Sequence, residues 1–352
     1  MQRTVHIVFT GLLLSLGTTQ AAGEPPPPAQ ATYPTPAQWA VRCQTASGTR
    51  FIWPNGSPLR DMALRASRDE NSEVLVRLDL GSLAPLGQTV TGAGLEKARL
   101  VSRVTAGKAP AVLPGATFRG YDGSGQPIDV AICEIASTST DPDVVRYRLR
   151  YWNAAEQRWQ NPCAGSKRVP DSWALAMDGV WDPPGAHHVT AGTFTFACET
   201  GAIAKCVELG YRPWSSANGT GAASLLQACT RMLRADYCGN GKSHTLGGVI
   251  IDLYDASGIQ TRSVEKTASW DPAQARFEAG WDGEGAVCLD HMRLGEALGV
   301  LEAECPGRFV HAPLDLGGGD VCAWRRRDAS PQSAVLHNRS CAAAREQRAG
   351  TQ

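Results

Sequence analysis

The sequence predicts an α+β fold in which a β-rich N-terminal domain, an antiparallel sheet or sandwich, is followed by a disulfide-bonded α+β C-terminal domain. Several windows of the first half alternate apolar and polar residues, which is the period of half-buried strands. The second half carries an apolar stripe with helical spacing. Eleven cysteines are spread from Cys43 to Cys341. In an exported protein, that number is typical of a disulfide framework.

The N-terminal residues have the order of a secretory signal peptide. One basic residue, Arg3, precedes a short apolar run over residues 5–16, and small residues follow it. We place the cleavage after Ala21, so residues 1–21 are the predicted signal peptide. The apolar run is too short to cross a bilayer, and no second long apolar stretch follows. The sequence therefore predicts a secreted or periplasmic protein with no transmembrane segment after signal cleavage.

Composition divides the remaining chain into four parts. Residues 22–36 are rich in Pro and Ala and are predicted to form a disordered lead-in. The β-rich domain is predicted over 37–185, where a Trp-Asp-Pro-Pro-Gly segment stops regular structure. The disulfide-rich α+β domain is predicted over 186–345, and residues 346–352 are predicted to be a disordered tail.

The β-rich prediction depends on four segments of the first half. Residues 74–80 and 146–151 alternate apolar side chains with mostly polar ones, as strands with one buried face do. Residues 118–121 and 128–135 flank Asp-Gly-Ser-Gly, whose residues favour a chain reversal. These last segments predict a strand, a turn and a second strand.

Helices are predicted only in the second half. One apolar stripe with helical spacing contains Ala222, Leu225, Leu226, Cys229, Met232 and Leu233. Gly-Asn-Gly at 239–241 ends this segment, because both residue types tolerate a left-handed backbone. A shorter helix is predicted over 202–209. Residues 249–254 and 259–264 predict a strand and its return strand, joined by a turn.

Charge and composition limit the partners. The chain has 34 basic and 34 acidic residues, whereas proteins that bind nucleic acids carry a basic face, so we predict no nucleic-acid partner. The partner is otherwise unknown. The chain has ten tryptophans, and the interpretation that we favour is that they anchor the core. Exposed tryptophans would instead suit a glycan or protein surface, and the side chains to test for exposure are Trp152, Trp159, Trp173 and Trp214.

The cysteine spacing indicates disulfides, because no two cysteines have the CxxC spacing of a zinc site. We predict no metal site and no cofactor. The candidate disulfide residues are Cys133, Cys163, Cys198, Cys206, Cys229, Cys238, Cys288, Cys305, Cys322 and Cys341. The count is odd, so at least one thiol is free or pairs with another chain. Sequence alone leaves open how Cys198, Cys206, Cys229 and Cys238 pair.

The densest local signal lies within residues 194–254. It includes Cys-Thr-Arg-Met from Cys229, Ala-Asp-Tyr-Cys at Ala235–Cys238 and Ser-His-Thr from Ser243. Over about 190–295 the chain resembles the ADYC domain, a family of exported bacterial proteins named after these four residues. The resemblance implies a cell-envelope or secreted context. It implies no established activity and supplies no catalytic residues.

Two functions are compatible with these residues, and whether the protein is an enzyme is left open. We favour a non-enzymatic cell-envelope or extracellular binding protein of unknown biochemical function. The alternative is a cysteine-nucleophile hydrolase in which His244 activates Cys238. Asp236, Asn240 and Asp252 are the candidates for orienting the histidine, and Asp236 is included among the candidate catalytic residues. Such chemistry requires a thiolate, a base within hydrogen-bond reach and a group that fixes the base.

Overall fold

A computed structural model describes residues 42–43, 75–82, 90–104, 107–108, 113–122, 127–137, 141–154, 156–163, 173–182, 184–215, 221–246 and 249–341. All of these residues belong to one compact unit, Tyr33–Gln352. The predicted signal peptide, lead-in and tail lie outside the described residues.

The described residues form strands and a smaller number of helices. The strands are β1 (Leu75–Asp79), β2 (Val90–Glu96), β3 (Arg99–Val104), β4 (Gly107–Lys108), β5 (Thr117–Asp122), β6 (Pro127–Ser137), β7 (Val145–Asn153), β8 (Arg158–Gln160), β9 (Ala174–Asp178), β10 (Val180–Trp181), β11 (His187–His188), β12 (Thr193–Cys198), β13 (Ile251–Asp255), β14 (Ala275–Asp282), β15 (Gly285–Leu289), β16 (Phe309–Asp315), β17 (Val321–Arg326) and β18 (Leu336–Cys341). The α-helices are α1 (Ala202–Glu208), α2 (Ala222–Arg234) and α3 (Gly299–Glu304), with 3₁₀ turns at Leu80–Ser82 and Pro331–Ser333. The predicted β-rich, disulfide-bonded character is confirmed.

Six antiparallel strands of the first sheet close into a ring. Their order is β6-β5-β1-β12-β9-β7, and β7 pairs back with β6, while β8 continues the sheet from β7. Buried aromatic side chains fill the interior, among them Phe118, Tyr147 and Phe196. The period of two along β7 places Tyr147 inside and its neighbours Arg146 and Arg148 on the outer face.

The small sheet β2-β3-β4 packs against this ring. Leu100 of β3 is buried in the same core, and its backbone N–H donates to the Tyr147 hydroxyl at 2.7 Å. A buried tyrosine hydroxyl needs such a partner. The predicted domain boundary at residue 185 stays a prediction, and β12, which lies beyond it, pairs with β1 and β9 in the ring.

The second large sheet is antiparallel and has the order β13-β18-β14-β15-β17-β16. Helix α2 packs on its inner face, where Trp281 and Leu336 meet Leu226 and Met232 in one core. Leu175, from the outer face of the ring, belongs to the same core. Helices α1 and α2 therefore lie between the ring and the second sheet.

Helix α2 coincides with the predicted apolar stripe, but the predicted return strand over 259–264 is wrong. The segment after β13 bonds to side chains instead of to a strand ladder. The Ser263 N–H donates to the Asp252 carboxylate at 3.1 Å, and Arg262 donates to Asp320 at 2.7 Å. Strand β18 is the neighbour of β13 in the sheet. Among the described residues, no helix is long and apolar enough to cross a membrane.

Candidate functional site

The segment Ala235–Cys238 directly follows α2 and is buried throughout. Ala235 ends the helix with a left-handed backbone, φ 50° and ψ 43°. This conformation lets the Asp236 N–H return to the Arg231 carbonyl at 3.0 Å, as helix C-termini often do. Glycine is the usual residue in this conformation, and here the Ala235 methyl group is fully buried. The chain turns sharply at this point and enters the loop 239–244.

Asp236 is held from three sides. Its carboxylate accepts from Arg231 Nη1 at 2.5 Å, from the Asn240 N–H at 3.1 Å and from the Gly241 N–H at 3.0 Å. Both ionised side chains are buried, 3% exposed for Arg231 and 0% for Asp236. Buried charges are tolerated when they are paired and hydrogen-bonded in this way. The carboxylate fixes the shape of the loop and is not available to a distant histidine.

Arg234, the last residue of α2, is a second buried guanidinium beside this aspartate. It is fully buried and donates to the Gly241 carbonyl. The pKa of Arg234 is lowered to about 10, chiefly by burial; the charge of Asp236 opposes this shift and the charge of Arg231 adds to it. The helix end therefore concentrates positive charge that the Asp236 carboxylate offsets.

Tyr237 crosses the core and meets the second sheet. Its hydroxyl donates to Glu278 at 3.1 Å and accepts from the Arg293 backbone N–H at 2.8 Å. Its ring stacks on Trp281 with centroids 5.2 Å apart. Burial, and then the charge of Glu278, raise the pKa of Tyr237 well above its ordinary value. The phenol therefore stays neutral and acts as a fixed hydrogen-bonding group.

Glu278 connects this centre to a polar chain that reaches the surface. The Ser340 hydroxyl helps to lower the pKa of Glu278 and lies 3.2 Å from His291 Nε2, while His291 Nδ1 lies 3.4 Å from Asp290. The residue types match a serine, histidine and aspartate triad. Ser340, however, is 0% exposed, so its oxygen cannot meet a substrate. These side chains form a structural hydrogen-bond chain.

Cys238 is bonded to Cys305. Its sulfur is therefore not present as the thiolate that the hydrolase hypothesis requires. His244 is buried and separately held, with Nδ1 3.1 Å from Glu296 and Nε2 3.0 Å from Glu304. The structure thus gives each of the three catalytic candidates, Cys238, His244 and Asp236, a different internal partner.

The other cysteines form four further disulfides, all among residues that the structure describes. The pairs are Cys43–Cys133, Cys163–Cys198, Cys206–Cys229 and Cys288–Cys322. Cys206 and Cys229 join α1 to α2, with Cα atoms 5.9 Å apart. Cys43, which lay outside the candidate set, is paired, and Cys341, which lay inside it, is the free thiol.

Asp252 and Asp255, whose carboxylate oxygens could bind a cation, both accept hydrogen bonds from other residues of the protein. Asp255 accepts from the Tyr211 hydroxyl at 2.9 Å and from the Gln260 N–H at 2.9 Å. Asp252 accepts from Arg339 Nη2 at 2.7 Å. Within the described ranges, no three His, Cys, Asp or Glu side chains converge as metal ligands.

Comparison with models of protein families assigns this chain to a family. The model of the ADYC domain matches residues 110–295, more than half of the 352-residue chain. This chain belongs to the ADYC domain family. The ADYC match begins well before residue 190, so it includes β5 to β9 of the ring as well as α2 and its motif. No curated protein and no solved structure matches this ADYC-family chain.

Sequence reasoning missed the charged residues that hold the ADYC motif. Arg231, Glu278 and Arg293 are buried, although charged side chains are usually exposed. One signal was present for Arg231. It lies on α2 five residues before Asp236, and an arginine one helical turn from a chain reversal can reach a carboxylate beyond it. Glu278 and Arg293 gave no local signal, because their partners come from other elements.

Proposed function

We propose that this ADYC-family protein acts in the periplasm or outside the cell as a non-enzymatic binding protein. Ten of its cysteines are in disulfides, which form and persist in oxidising compartments. The polar and sulfur atoms of the motif have internal partners, which supports a structural role for Ala235–Cys238. The function then belongs to a surface away from the motif.

The outer face of β7 is the surface that supports binding best. Arg146, Arg148 and Arg150 follow one another on this face. Arg148 lies over the indole of Trp173, with its guanidinium carbon 4.5 Å from the ring centroid. Such cation–π contacts fix the position of both side chains. This arginine and tryptophan pair is the observation that carries the proposal.

A second aromatic pair continues the same surface. Trp152 of β7 lies opposite Trp159 of β8, and their ring centroids are 5.7 Å apart. Trp152 is 6% exposed, whereas Trp159 and Trp173 are partly exposed. Trp214 is also partly exposed, but it packs against the helical core. The surface therefore consists of Trp159, Trp173 and the arginines beside them.

The charge of this surface favours a protein partner. Arg146 pairs with Glu199 at 2.8 Å and Arg148 with Glu134 at 3.2 Å. The surface thus carries charges of both signs beside aromatic side chains. Tryptophan and arginine dominate the binding energy of protein–protein interfaces. The same aromatic rings would also suit a glycan, and the test below includes an arm that would detect one.

The test compares Trp159→Ala and Trp173→Ala with Trp324→Ala, which removes a partly exposed tryptophan that lies on the other sheet and packs against the helical core. Each variant is expressed in its native host and cross-linked on intact cells with a cleavable amine-reactive reagent. Purified peptidoglycan is used in parallel co-sedimentation. We expect both surface variants to lose a discrete cross-linked protein that Trp324→Ala retains. Sedimentation lost only in the surface variants would identify a glycan partner, and no difference among the variants would overturn the proposal.

A further inference from the structure

The five disulfides differ in how far solvent and other thiols can reach them. Both sulfur-bearing residues are essentially buried in three bonds, Cys163–Cys198, Cys206–Cys229 and Cys288–Cys322, with every residue at most 2% exposed. Cys238 is 5% exposed, but Cys305 is partly exposed at the end of α3. Exchange requires a thiolate to reach one sulfur. Cys305 is the more exposed residue of this bond.

The element that Cys305 holds has few other attachments. Helix α3 has six residues, and its buried residue is Leu301. Most positions from 295 to 308 are partly or fully exposed. A segment with little buried apolar surface opens locally more easily than the core does. The disulfide therefore supplies much of what keeps α3 against the motif loop.

The other polar attachments of this segment to the loop 239–244 are two carboxylates, those of Glu296, which lies 3.1 Å from His244 Nδ1, and Glu304. Glu304 accepts from Asn240 Nδ2 at 3.0 Å, from Lys242 at 2.7 Å and from His244 Nε2 at 3.0 Å. All three donors belong to the loop 239–244, and Glu304 is adjacent to Cys305. Opening of the bond beside Glu304 lets this carboxylate move away from the three donors together.

We propose that the Cys238–Cys305 bond is a redox latch, which an extracytoplasmic dithiol oxidoreductase opens to release α3 and Glu304 from the loop 239–244. The bond connects the motif that defines the family to a short, exposed helix. The latch does not depend on the binding surface proposed above, because Cys238 and Cys305 lie in the segments that follow α2 and α3, whereas that surface lies on β7 of the ring.

The exchange proceeds in two balanced steps. A thiolate of the dithiol partner attacks the Cys305 sulfur, the Cys238–Cys305 bond breaks, and Cys238 leaves as a thiolate that takes a proton from water. The second thiol of the partner then attacks the mixed disulfide and releases Cys305 as a thiol. The partner is oxidised to its disulfide, and the protein gains two thiols.

Accessibility alone does not separate this bond from Cys43–Cys133, in which both residues are also partly exposed. The two bonds differ in what they hold, because Cys133 lies in β6, a strand paired on both sides within the ring. Loss of Cys43–Cys133 is therefore expected to leave α3 in place. That bond provides the matched control.

The test uses the wild-type protein, limiting dithiothreitol and rapid alkylation, followed by peptide mass spectrometry and amide hydrogen exchange. We expect Cys238 and Cys305 to be alkylated while the three buried bonds are intact. Exchange across 299–305 should then rise by about tenfold, with α2 changed by less than about twofold. The variant Cys43→Ser/Cys133→Ser should show ordinary exchange at α3.

Two outcomes would overturn the latch. One is reduction of Cys238–Cys305 no earlier than the buried bonds. The other is exchange that rises in α2 as much as in α3, which would make the bond a support of the whole domain. The double variant Cys238→Ser/Cys305→Ser repeats the exchange measurement without reductant. If it does not fold, that failure also counts against a local latch.

Discussion

Arg293 and Glu278 form an ion pair inside the protein. Their side chains are 1% and 0% exposed, and Arg293 Nη2 lies 2.9 Å from Glu278 Oε1. The same guanidinium donates to the Met232 and Leu233 carbonyls at the end of α2. Burial raises the pKa of Glu278, but the charge and hydrogen bonds of Arg293 outweigh burial and hold it below its usual value. This pair therefore joins the helix, the motif and the second sheet.

Removal of Arg293 should destabilise the whole C-terminal half. In Arg293→Met the Glu278 carboxylate loses its counter-charge, and the Met232 and Leu233 carbonyls each lose one donor. Removal of one partner from a buried ion pair costs about 3–5 kcal/mol. We expect the free energy of unfolding to fall by that amount in urea titrations followed by circular dichroism.

Arg276→Met is the control for this change. Arg276 pairs with Asp290 at 2.8 Å, but its side chain is 62% exposed. Exposed ion pairs contribute about 0–1 kcal/mol, so this variant should unfold nearly as the wild type does. Equal losses in the two variants would show that burial of the Arg293 pair is not the cause.

Gly285 is predicted to tolerate no side chain. Its φ is 120°, and a Cβ built there lies 2.6 Å from the Tyr237 carbonyl oxygen, the atom that accepts from the Ala286 N–H at 3.0 Å. Gly285→Ala should therefore separate the motif from β15 and cost about 3 kcal/mol or more, through backbone strain and loss of packing.

The effect of the clash can be separated from that of the backbone angle. Gly295 also has a positive φ, 66°, but a Cβ there meets nothing within 4 Å. Gly295→Ala should cost only about 1–2 kcal/mol, the cost of a left-handed backbone. A thermal melt in which both variants lose the same stability would contradict the role of the Tyr237 carbonyl.

Stability should fall at alkaline pH through Tyr147. Burial raises the pKa of Tyr147 to about 12 from its ordinary 10.0, although the Leu100 hydrogen bond and the Arg99 charge lower it. Because the folded pKa lies above the unfolded one, the neutral phenol stabilises the fold fully below pH 10. That stabilisation, about 2–3 kcal/mol, is lost as the pH rises to about 12.

Tyr147→Phe tests this pH dependence. The variant loses the acceptor for the Leu100 N–H, which costs about 1 kcal/mol at neutral pH, but it has no phenol to ionise. Urea titrations between pH 8 and pH 11 should show the wild type losing more stability than the variant. Parallel losses over that range would mean that Tyr147 ionises equally easily in both states.

Native protein should carry one reactive thiol, at Cys341. The other ten cysteines are in disulfides, and Cys341 is the free one. Burial, and then the charge of Asp271, raise the pKa of Cys341 above its ordinary value of 9.0. Its reaction with iodoacetamide should therefore be slow at pH 7 and should accelerate above pH 9.

Peptide mapping of the labelled protein shows which cysteine has reacted. Cys341→Ser should take up no reagent in the native, non-reduced state. Modification of Cys238 under those conditions would support the cysteine-hydrolase hypothesis, because it would show a free thiol where the structure has a disulfide.

The sequence predicted the elements whose signals are local. The apolar stripe of α2 and the alternation along β7 both depend on residues within one element, and the structure contains both. The return strand over 259–264 had the same kind of pattern and is wrong. Ser263 and Arg262 of this segment donate hydrogen bonds to Asp252 and Asp320. The strand that pairs with β13 is β18, which lies near the C-terminal end of the sequence.

The centre around Tyr237 could not be predicted, because its partners come from distant elements. Glu278 lies on β14 and Arg293 follows β15, and their register with the helix is set by the sheet. The same holds for Cys238 and Cys305, which are 67 residues apart. Sequence spacing restricts such pairs only when both residues lie on one element.

The pairing of β12 with β1 has a consequence for how the molecule is made. Leu78 lies opposite Phe194 in the ring, and a ribosome or a translocase delivers residue 78 long before residue 194. Until β12 is made, β1 and β9 each present an unpaired edge, and the aromatic interior of the ring is open to neighbouring chains. Newly made protein should therefore depend on chaperones during that interval.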